Sequence, residues 1–391
     1  MTERINPRWG AVWAMSLGAF VLVASEFMPV SLLTPIANDL NISNGEAGQS
    51  ISVAGIFALL TALFLTSIVP KVDRKSILLF FTIFMGISGV VVAFAPNELV
   101  LTIGRAMLGI CIGGFWSMSA ATVMRLVPQI SVPKALAILN GGNALSTLIA
   151  APLGSFLGGI IGWRGAFFII VPLALITFLW LYKSMPNLPT THKAGHSPRI
   201  GTIFGLFKDK QIGLGMLSVT LFFMGQFVLF TYLRPFLEVQ TSVSINQLSA
   251  VLLFMGFCGL IGTFIIGNIL KTRLFSLLIF IPICMAVVSL LITIFAKSLL
   301  AMFILLGFWG LLGTSAPVAW WTWLSKVAPA KAEAAGGAMV AVVQLAIAFG
   351  ASFGGIVFDT FGYQTTFISS SIILFSASFL AFMTYKVSKF S

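Results

Sequence analysis

Residues 21–35, VLVASEFMPVSLLTP, place one carboxylate, Glu26, deep inside an apolar run that extends from residue 10 to about residue 37. The chain has ten acidic residues, and the others fall at or near the ends of apolar runs. An ionisable group in hydrocarbon costs a few kcal/mol or more, and it is kept mainly where it lines a cavity or carries a proton or ligand. We therefore expect the rest of the chain to be organised around Glu26.

The composition is that of an integral membrane protein. Of 391 residues, 59% are hydrophobic and 8% are charged, whereas soluble domains have about 25% charged residues. Runs of about 20 apolar residues recur along the chain, without the alternation typical of barrel strands. The sequence predicts an all-α membrane protein with twelve transmembrane helices: 10–37, 47–70, 76–95, 98–123, 133–161, 164–183, 211–237, 246–270, 274–296, 299–324, 333–358 and 364–386.

The net charge of +12 reflects topology and does not indicate a nucleic-acid partner. Most Lys and Arg residues fall in alternate connections between the predicted spans, and this bias predicts that both termini are cytoplasmic. The spans leave no room for a soluble catalytic domain, and neither a nucleophile–base pair nor a phosphate-binding loop is recognisable. We expect a protein that is not an enzyme and that holds no metal and no cofactor.

The two halves of the chain are similar at an offset of about 200 residues. Pro35 matches Pro235, and Glu26 falls opposite Gln226. The repeat predicts an N-terminal six-helix bundle (1–183), a cytoplasmic linker (184–210) and a C-terminal six-helix bundle (211–391). Substrate in such parallel-repeat folds binds near the middle of the membrane, between the halves.

Several short motifs resemble those of the major facilitator superfamily. PKVDRK, with Asp73 and Arg74, resembles its cytoplasmic loop motif, and GRAMLG, with Arg105, matches its fourth-helix motif. APLG, with Pro152 and Gly154, resembles its antiporter motif. The first and third motifs each lack one glycine of the family pattern. The resemblance implies two pseudo-symmetric bundles, with Asp73, Arg74, Pro152 and Gly154 taking part in the conformational change.

Longer segments are similar to bacterial purine ribonucleoside efflux pumps of the drug:proton antiporter branch. They include EFMPVSLLTPIANDL, GGFWSMSAATVMRLVP and GQFVLFTYLRP. The resemblance implies export of purine ribonucleosides such as inosine and guanosine across the bacterial inner membrane, driven by the proton gradient. We expect a monomer whose partners are the lipid bilayer, protons and a nucleoside-like small molecule.

Glu26 and Arg105 are the candidate proton-coupling residues. Burial disfavours the charged form of a carboxyl group, so a buried carboxyl can bind and release protons near neutral pH. Arg105 lies inside a span, and a buried cation needs partners. Glu26 is therefore either a proton carrier or a structural partner of Arg105, and the sequence leaves both open.

Candidate substrate-binding residues are the amides and aromatic rings nearest the middle of the spans. Amides offer paired donors and acceptors to a nucleobase or a sugar, and aromatic rings stack on planar groups. The alternatives are hydrogen bonds between helices and simple packing. The candidates are Trp116, Asn140, Asn143, Gln226, Tyr232, Trp320 and Gln344.

The sequence is also compatible with other functions. A multidrug or sugar exporter of the same superfamily would share the scaffold, and uptake by symport would need only the opposite direction of coupling. A membrane receptor or a channel is a rival from another class. The repeat and the single deep acid favour a carrier.

Overall fold

The computed structural model describes residues 7–69, 72–188, 205–328 and 332–390. The long elements in these ranges are helices. They are α1 (Trp9–Leu40), α2 (Asn44–Ile68), α3 (Arg74–Ala93), α4 (Glu98–Leu126), α5 (Val132–Phe168), α6 (Ile170–Ser184), α7 (Lys210–Phe230), α8 (Leu233–Phe236), α9 (Ile245–Ile294), α10 (Leu299–Val327) and α11 (Ala332–Phe390). Short helical turns cover Gln129–Ser131 and Leu237–Thr241.

Polar side chains in the short connections set the helix starts. Ser43 and Glu46 form a capping box at the start of α2, and Ser244 forms the equivalent box with Gln247 at the start of α9. Asn97 caps the start of α4 through its side chain alone. Each cap supplies an acceptor to backbone N–H groups that have no partner within the helix.

Two glycines break α5 and α11 at corresponding positions. Gly162 in α5 has φ 73°, and Gly362 in α11 has φ 79°. This left-handed region is open to glycine at little cost and to few other residues. The chain turns at both positions, so α5 and α11 each contain the start of the next membrane crossing. The spacing of 200 residues follows the repeat seen in the sequence.

Within the described ranges, ten helical stretches are long and apolar enough to cross a membrane, and two of them, Ile245–Gly267 and Ile269–Ile294, belong to α9. Helix α11 has 59 residues, or about 88 Å at 1.5 Å per residue, against a hydrocarbon core of about 30 Å. A helix of that length contains more than one crossing, and α6, with 15 residues, is short for a crossing, so fewer than twelve spans are distinguished. The multi-pass, all-helical architecture is confirmed, while the count of twelve and the cytoplasmic termini stay predictions.

The bundle boundaries also stay predictions, because most of the predicted linker, residues 189–204, lies outside the described residues.

Two hydrophobic clusters form the core, one mainly from residues 11–188 and the other mainly from residues 206–381. Four residues join the cluster of the opposite half: Val30, Ile51, Ala151 and Tyr232. We call the parts of the chain before and after the linker the first and second halves.

The halves are hydrogen-bonded at the end of the bundle where α1 ends and α2 begins, which we call the closed end. The backbone N–H of Gly45 donates to both carboxylate oxygens of Asp359, each at 3.1 Å. Ser352 Oγ donates to Gln49 Oε1 at 2.6 Å. Carbonyl and carboxylate atoms of the second half fill the space where a Gly45 side chain would lie, so the helices approach closely there.

The opposite end of the bundle carries the start of α1 and the end of α11, and parts of α5 and α11 are exposed there. Asn140 is exposed on α5. At Gly141 and at Gly337, no described atom lies within 4 Å of the position a Cβ would take. We call this end the open end, because no described side chain fills the space beside Gly141 and Gly337.

Candidate functional site

Glu26 lies on α1 where the two halves meet. It is 7% exposed, and its Oε1 accepts a hydrogen bond from Nε2 of Gln344 on α11 at 3.3 Å. The backbone of Gln344 packs against Gly55 of α2. Glu26 therefore faces neither lipid nor open water, and its carboxylate connects the first half to the second.

Arg105 is fully buried on α4 and donates to backbone carbonyl groups. Its Nη1 donates to Ser25 O at 2.7 Å, its Nη2 to Glu26 O at 3.0 Å, and its Nε to Ser50 O at 3.2 Å. None of these bonds goes to the carboxylate of Glu26. Arg105 joins α1 and α2 to α4 within the first half.

Pro29 explains why this arginine is needed. Proline has no N–H, so the carbonyl of the residue four positions earlier loses its helical donor. That residue is Ser25, and Arg105 makes its shortest bond to the Ser25 carbonyl. We define Pro29, the Ser25 carbonyl and Arg105 as the inner proline unit.

A second unit of the same kind lies one turn and a half further along α1. Pro35 removes the helical donor of the Ser31 carbonyl, and Nη1 of Arg234 in α8 donates to that carbonyl. Arg234 is 5% exposed, and its Nε also donates to Glu238 Oε1 at 2.8 Å. We define Pro35, the Ser31 carbonyl and Arg234 as the outer proline unit. Unlike the inner unit, it crosses between the halves.

An aromatic pair lies next to Glu26. The rings of Phe27 on α1 and Phe227 on α7 stack with centroids 5.8 Å apart and an interplanar angle of 30°. Phe27 is half-buried and Phe227 is buried. The rings belong to different halves, so the pair is a contact between the halves, one residue along α1 from Glu26.

The two candidate glutamines have different surroundings. Gln344 reaches Glu26, whereas Gln226 on α7 is half-buried and its Nε2 lies against Gly313 of α10 in its own half. The Oε1 of Gln226 is buried and has no hydrogen-bond partner in the described part of the chain. The repeat pointed to Gln226 as the counterpart of Glu26, but the structure brings Gln344 to it.

Three candidates on α4 and α5 are at least partly exposed. Trp116 is half-buried and packs edge-to-face on Phe115, with centroids 5.6 Å apart. Asn140 is exposed, and its Nδ2 donates to Leu136 O at 3.0 Å, while Asn143 is half-buried. These side chains are available to a ligand but are not in contact with Glu26.

Two aromatic candidates are fully packed, Trp320 inside the second half and Tyr232 between the halves. Trp320 is 1% exposed and meets Trp323 edge-to-face, with centroids 5.5 Å apart. Tyr232 is fully buried, and its hydroxyl donates to Ala351 O at 2.7 Å. In this conformation Trp320 is a packing residue. Tyr232, which directly precedes α8, connects that segment to α11 at the closed end through its hydrogen bond.

The predicted conformational residues occupy helix ends and close helix contacts. Asp73 Oδ1 accepts from the backbone N–H of Lys75 at 2.8 Å and caps α3, and the backbone N–H of Arg74 donates to Leu188 O at 3.3 Å. The first two residues of this turn, 70 and 71, lie outside the described residues. Pro152 lies inside α5, and Gly154 packs against Ser31 of α1.

Sequence reasoning missed the roles of Arg234 and of the two prolines. The signal was present, because each proline marks a free carbonyl four positions earlier. Only the fold could show which cation reaches each carbonyl. Among the described residues, no group of three or more His, Cys, Asp or Glu side chains could hold a metal ion.

Comparison with known sequences gives consistent matches over nearly the whole chain. A sequence profile described as Major Facilitator Superfamily matches residues 15–351. A protein of Pseudomonas aeruginosa named transcription regulatory protein OpdE is 52% identical over 387 residues, covering 98% of this chain and 96% of that protein. The purine ribonucleoside efflux pump NepI of Salmonella paratyphi B is 38% identical over 377 residues, covering 96% and 94%.

Solved structures share the fold at low sequence identity. A bacterial homologue of the human lysosomal transporter Spinster, in an inward-facing and unoccupied conformation, has a TM-score of 0.79 and 16% identity, with 97% of each chain covered. The D-xylose–proton symporter has a TM-score of 0.78 and 17% identity, covering 96% of this chain and 97% of that one.

Proposed function

This chain belongs to the major facilitator superfamily, and from that premise we propose that it is a proton-coupled antiporter that exports purine ribonucleosides across the bacterial inner membrane. Membership of this transporter superfamily confirms that the chain is a multi-pass membrane protein and not an enzyme. The export direction and the nucleoside class are supported by the similarity to the efflux pump NepI. The observation that carries the proposal is the buried carboxylate of Glu26, bound to Gln344 of the opposite half.

The contact between Glu26 and Gln344 connects protonation with the packing of the halves. An amide N–H binds a carboxylate more strongly than it binds a neutral carboxyl group. The contact is made while the closed end is shut, and separating the halves there breaks it. When the closed end opens, Glu26 loses the Gln344 N–H and takes up a proton from the outer side. When the closed end shuts again, the amide binds the carboxylate and the proton leaves through the open end, so a proton enters as substrate leaves.

Substrate binds in the space that is reached from the open end. With the predicted topology, that end faces the cytoplasm, so the conformation is the one that loads cargo for export. In this proposal the half-buried Trp116 and Asn143 line this space, and the stacked pair of Phe27 and Phe227 closes its far side. A planar base stacks on aromatic rings, and the amides of Asn143 and Gln226 supply donors and acceptors to the base or sugar.

Transport into proteoliposomes tests the proposal. Purified protein is reconstituted, a pH gradient is imposed, and inosine, a sugar and a cationic dye are offered in turn. We expect inosine to be moved against its gradient in exchange for protons. The sugar or the dye carried in its place would instead identify a sugar or multidrug exporter. Inosine moved in the same direction as protons would identify a symporter.

Two glutamine variants separate coupling from folding. Glu26→Gln should abolish proton-driven transport and keep exchange of labelled for unlabelled inosine, because the binding space and the fold remain. The matched control is Glu98→Gln, which removes a carboxylate from the first turn of α4. The control should transport at the rate of the unmodified protein. Proton-driven transport by Glu26→Gln would refute the coupling role.

A receptor function is the second candidate, because the relative OpdE is named a transcription regulatory protein. A receptor that binds inosine would show binding and no exchange across the membrane. The same proteoliposomes therefore distinguish a carrier from a receptor.

A further inference from the structure

A cavity of about 380 Å³ lies at the open end of the second half, away from the space between the halves. It is formed where α9 bends at Arg273, next to the last turn of α10 and to α11. Three cationic side chains line it: Lys271, Arg273 and Lys326. None of the described lining residues carries a carboxylate. The proposed transport function makes no use of this cavity.

The rest of the lining is amphipathic. Ser276 contributes a hydroxyl, and the rings of Phe275 and Tyr385 lie with centroids 5.2 Å apart. On the same helix, Ile269 is 38% exposed and Phe280 is 60% exposed, so the flanks of the bend are apolar. A ligand that matches these surfaces has an anionic head and an apolar body.

The repeat shows that this cationic turn differs from its counterpart in the first half. At the offset of 200 residues, KVDRKS at positions 71–76 corresponds to KTRLFS at positions 271–276. Asp73 therefore corresponds to Arg273. In the first half, the Asp73 carboxylate accepts the Lys75 N–H and caps α3. In the second half the acid is replaced by a cation, and the helix bends at Arg273, with φ −130° and ψ 36°.

We propose that this cavity binds the phosphodiester headgroup of an anionic phospholipid. Basic pockets between transmembrane helices at a membrane surface are suited to such headgroups, and Arg and Lys bind phosphate oxygens through charge-assisted hydrogen bonds. The cavity lies at the end of the bundle where the predicted topology places the cytoplasmic leaflet. The apolar flanks at Ile269 and Phe280 lie beside the acyl chains.

Native mass spectrometry of the purified full chain tests the proposal. Phosphatidylglycerol is titrated against phosphatidylcholine, which has the same phosphodiester and no net charge. We expect phosphatidylglycerol to bind at least tenfold more tightly. The triple variant Lys271→Gln, Arg273→Gln, Lys326→Gln should lose that preference. The matched control, Lys183→Gln, Lys208→Gln, Lys210→Gln, removes three exposed cations from the same end and should keep it.

Other outcomes would overturn the proposal. Equal binding of the two lipids, or an unchanged preference in the triple variant, would refute a headgroup site in this cavity. Inorganic phosphate that displaces phosphatidylglycerol at equal concentration would identify a site for a free phosphate ion instead. If the triple variant does not fold, Lys326→Glu alone changes one exposed side chain and should weaken phosphatidylglycerol binding about fivefold. Unchanged binding in that variant would equally refute the proposal.

Discussion

The inner and outer proline units are built from the same parts and differ in what they connect. In each unit, a proline in α1 leaves a backbone carbonyl without its helical donor, and a buried arginine donates to that carbonyl. Arg105 of the inner unit comes from the same half and also binds Ser50 O. Arg234 of the outer unit comes from the opposite half and also binds Glu238.

Arg105 is therefore a permanent brace within the first half, whereas the contact of Arg234 with α1 depends on the conformation of the protein. The bonds of Arg105 stay intact when the halves move as bodies, because all its partners are in the first half. The bond of Arg234 to Ser31 O must break when the closed end opens. Glu238 then remains as its partner, so the guanidinium is not left alone in either state.

Removing the inner arginine should have the largest effect. Arg105→Ala leaves the Ser25 carbonyl without a donor inside the bundle and empties a buried site. We expect a loss of about 3 kcal/mol or more in the free energy of unfolding, since hydrogen bonds to charged groups contribute about 1.5–3 kcal/mol each. Thermal unfolding in detergent measures it. An unchanged melting temperature would contradict the role of a brace.

Changing the outer arginine should shift conformation more than folding. Arg234→Lys loses the guanidinium geometry that reaches both Ser31 O and Glu238, so the closed end should open more often. We expect a five- to tenfold change in the ratio of open to closed molecules, or about 1 kcal/mol. Spin labels are placed at positions 99 and 239, which are both exposed at the closed end. Electron paramagnetic resonance measures the distribution of distances between the labels, and from it the ratio of open to closed molecules.

Arg105→Lys is the control for that experiment. It should lower the melting temperature and leave the distance distribution unchanged, because its partners do not cross between the halves. If both lysine variants widened the distribution equally, the distinction between the two units would be lost.

A smaller effect should appear when the outer proline is replaced. Pro35→Ala returns an N–H to the helix, so the Ser31 carbonyl regains its own donor. The effect of Arg234→Lys on the spin-label distances should then fall by at least half in the double variant. Strictly additive effects, as expected of independent sites, would show that the arginine does not act through this carbonyl.

The smallest effect should follow loss of a bond between the halves that no proline creates. Ser352→Ala removes the donor to Gln49 at the edge of the closed end. The ratio of open to closed molecules should change less than threefold, about 0.5 kcal/mol, in the same spin-label experiment. A change larger than that of Arg234→Lys would reverse the order of the two contacts.

The sequence allowed the architecture and the position of Glu26 to be predicted, because apolar runs and a lone deep acid are local patterns. Helix breaks at Gly162 and Gly362 follow from the repeat for the same reason. The partners of the site could not be predicted, since they depend on how helices rotate against one another. Gln344 rather than Gln226 reaches Glu26, and Arg105 reaches carbonyl groups rather than the carboxylate.

The packing of the aromatic candidates could not be predicted from the sequence either. Trp116 and Trp320 occur in similar apolar surroundings along the chain, yet Trp116 is half-buried and Trp320 is enclosed by its own half. Hydrophobic patterning identifies spans but leaves open which face of a span meets a cavity, because both halves are apolar nearly all round.

Proton release on substrate binding tests most directly whether Glu26 couples protons to export. Inosine is added to purified protein in weakly buffered detergent solution near neutral pH, and an indicator dye records the protons released. We expect that the unmodified protein releases protons on binding, that Glu98→Gln releases as many, and that Glu26→Gln binds inosine and releases none. Equal proton release from Glu26→Gln and the unmodified protein would contradict the coupling role of Glu26.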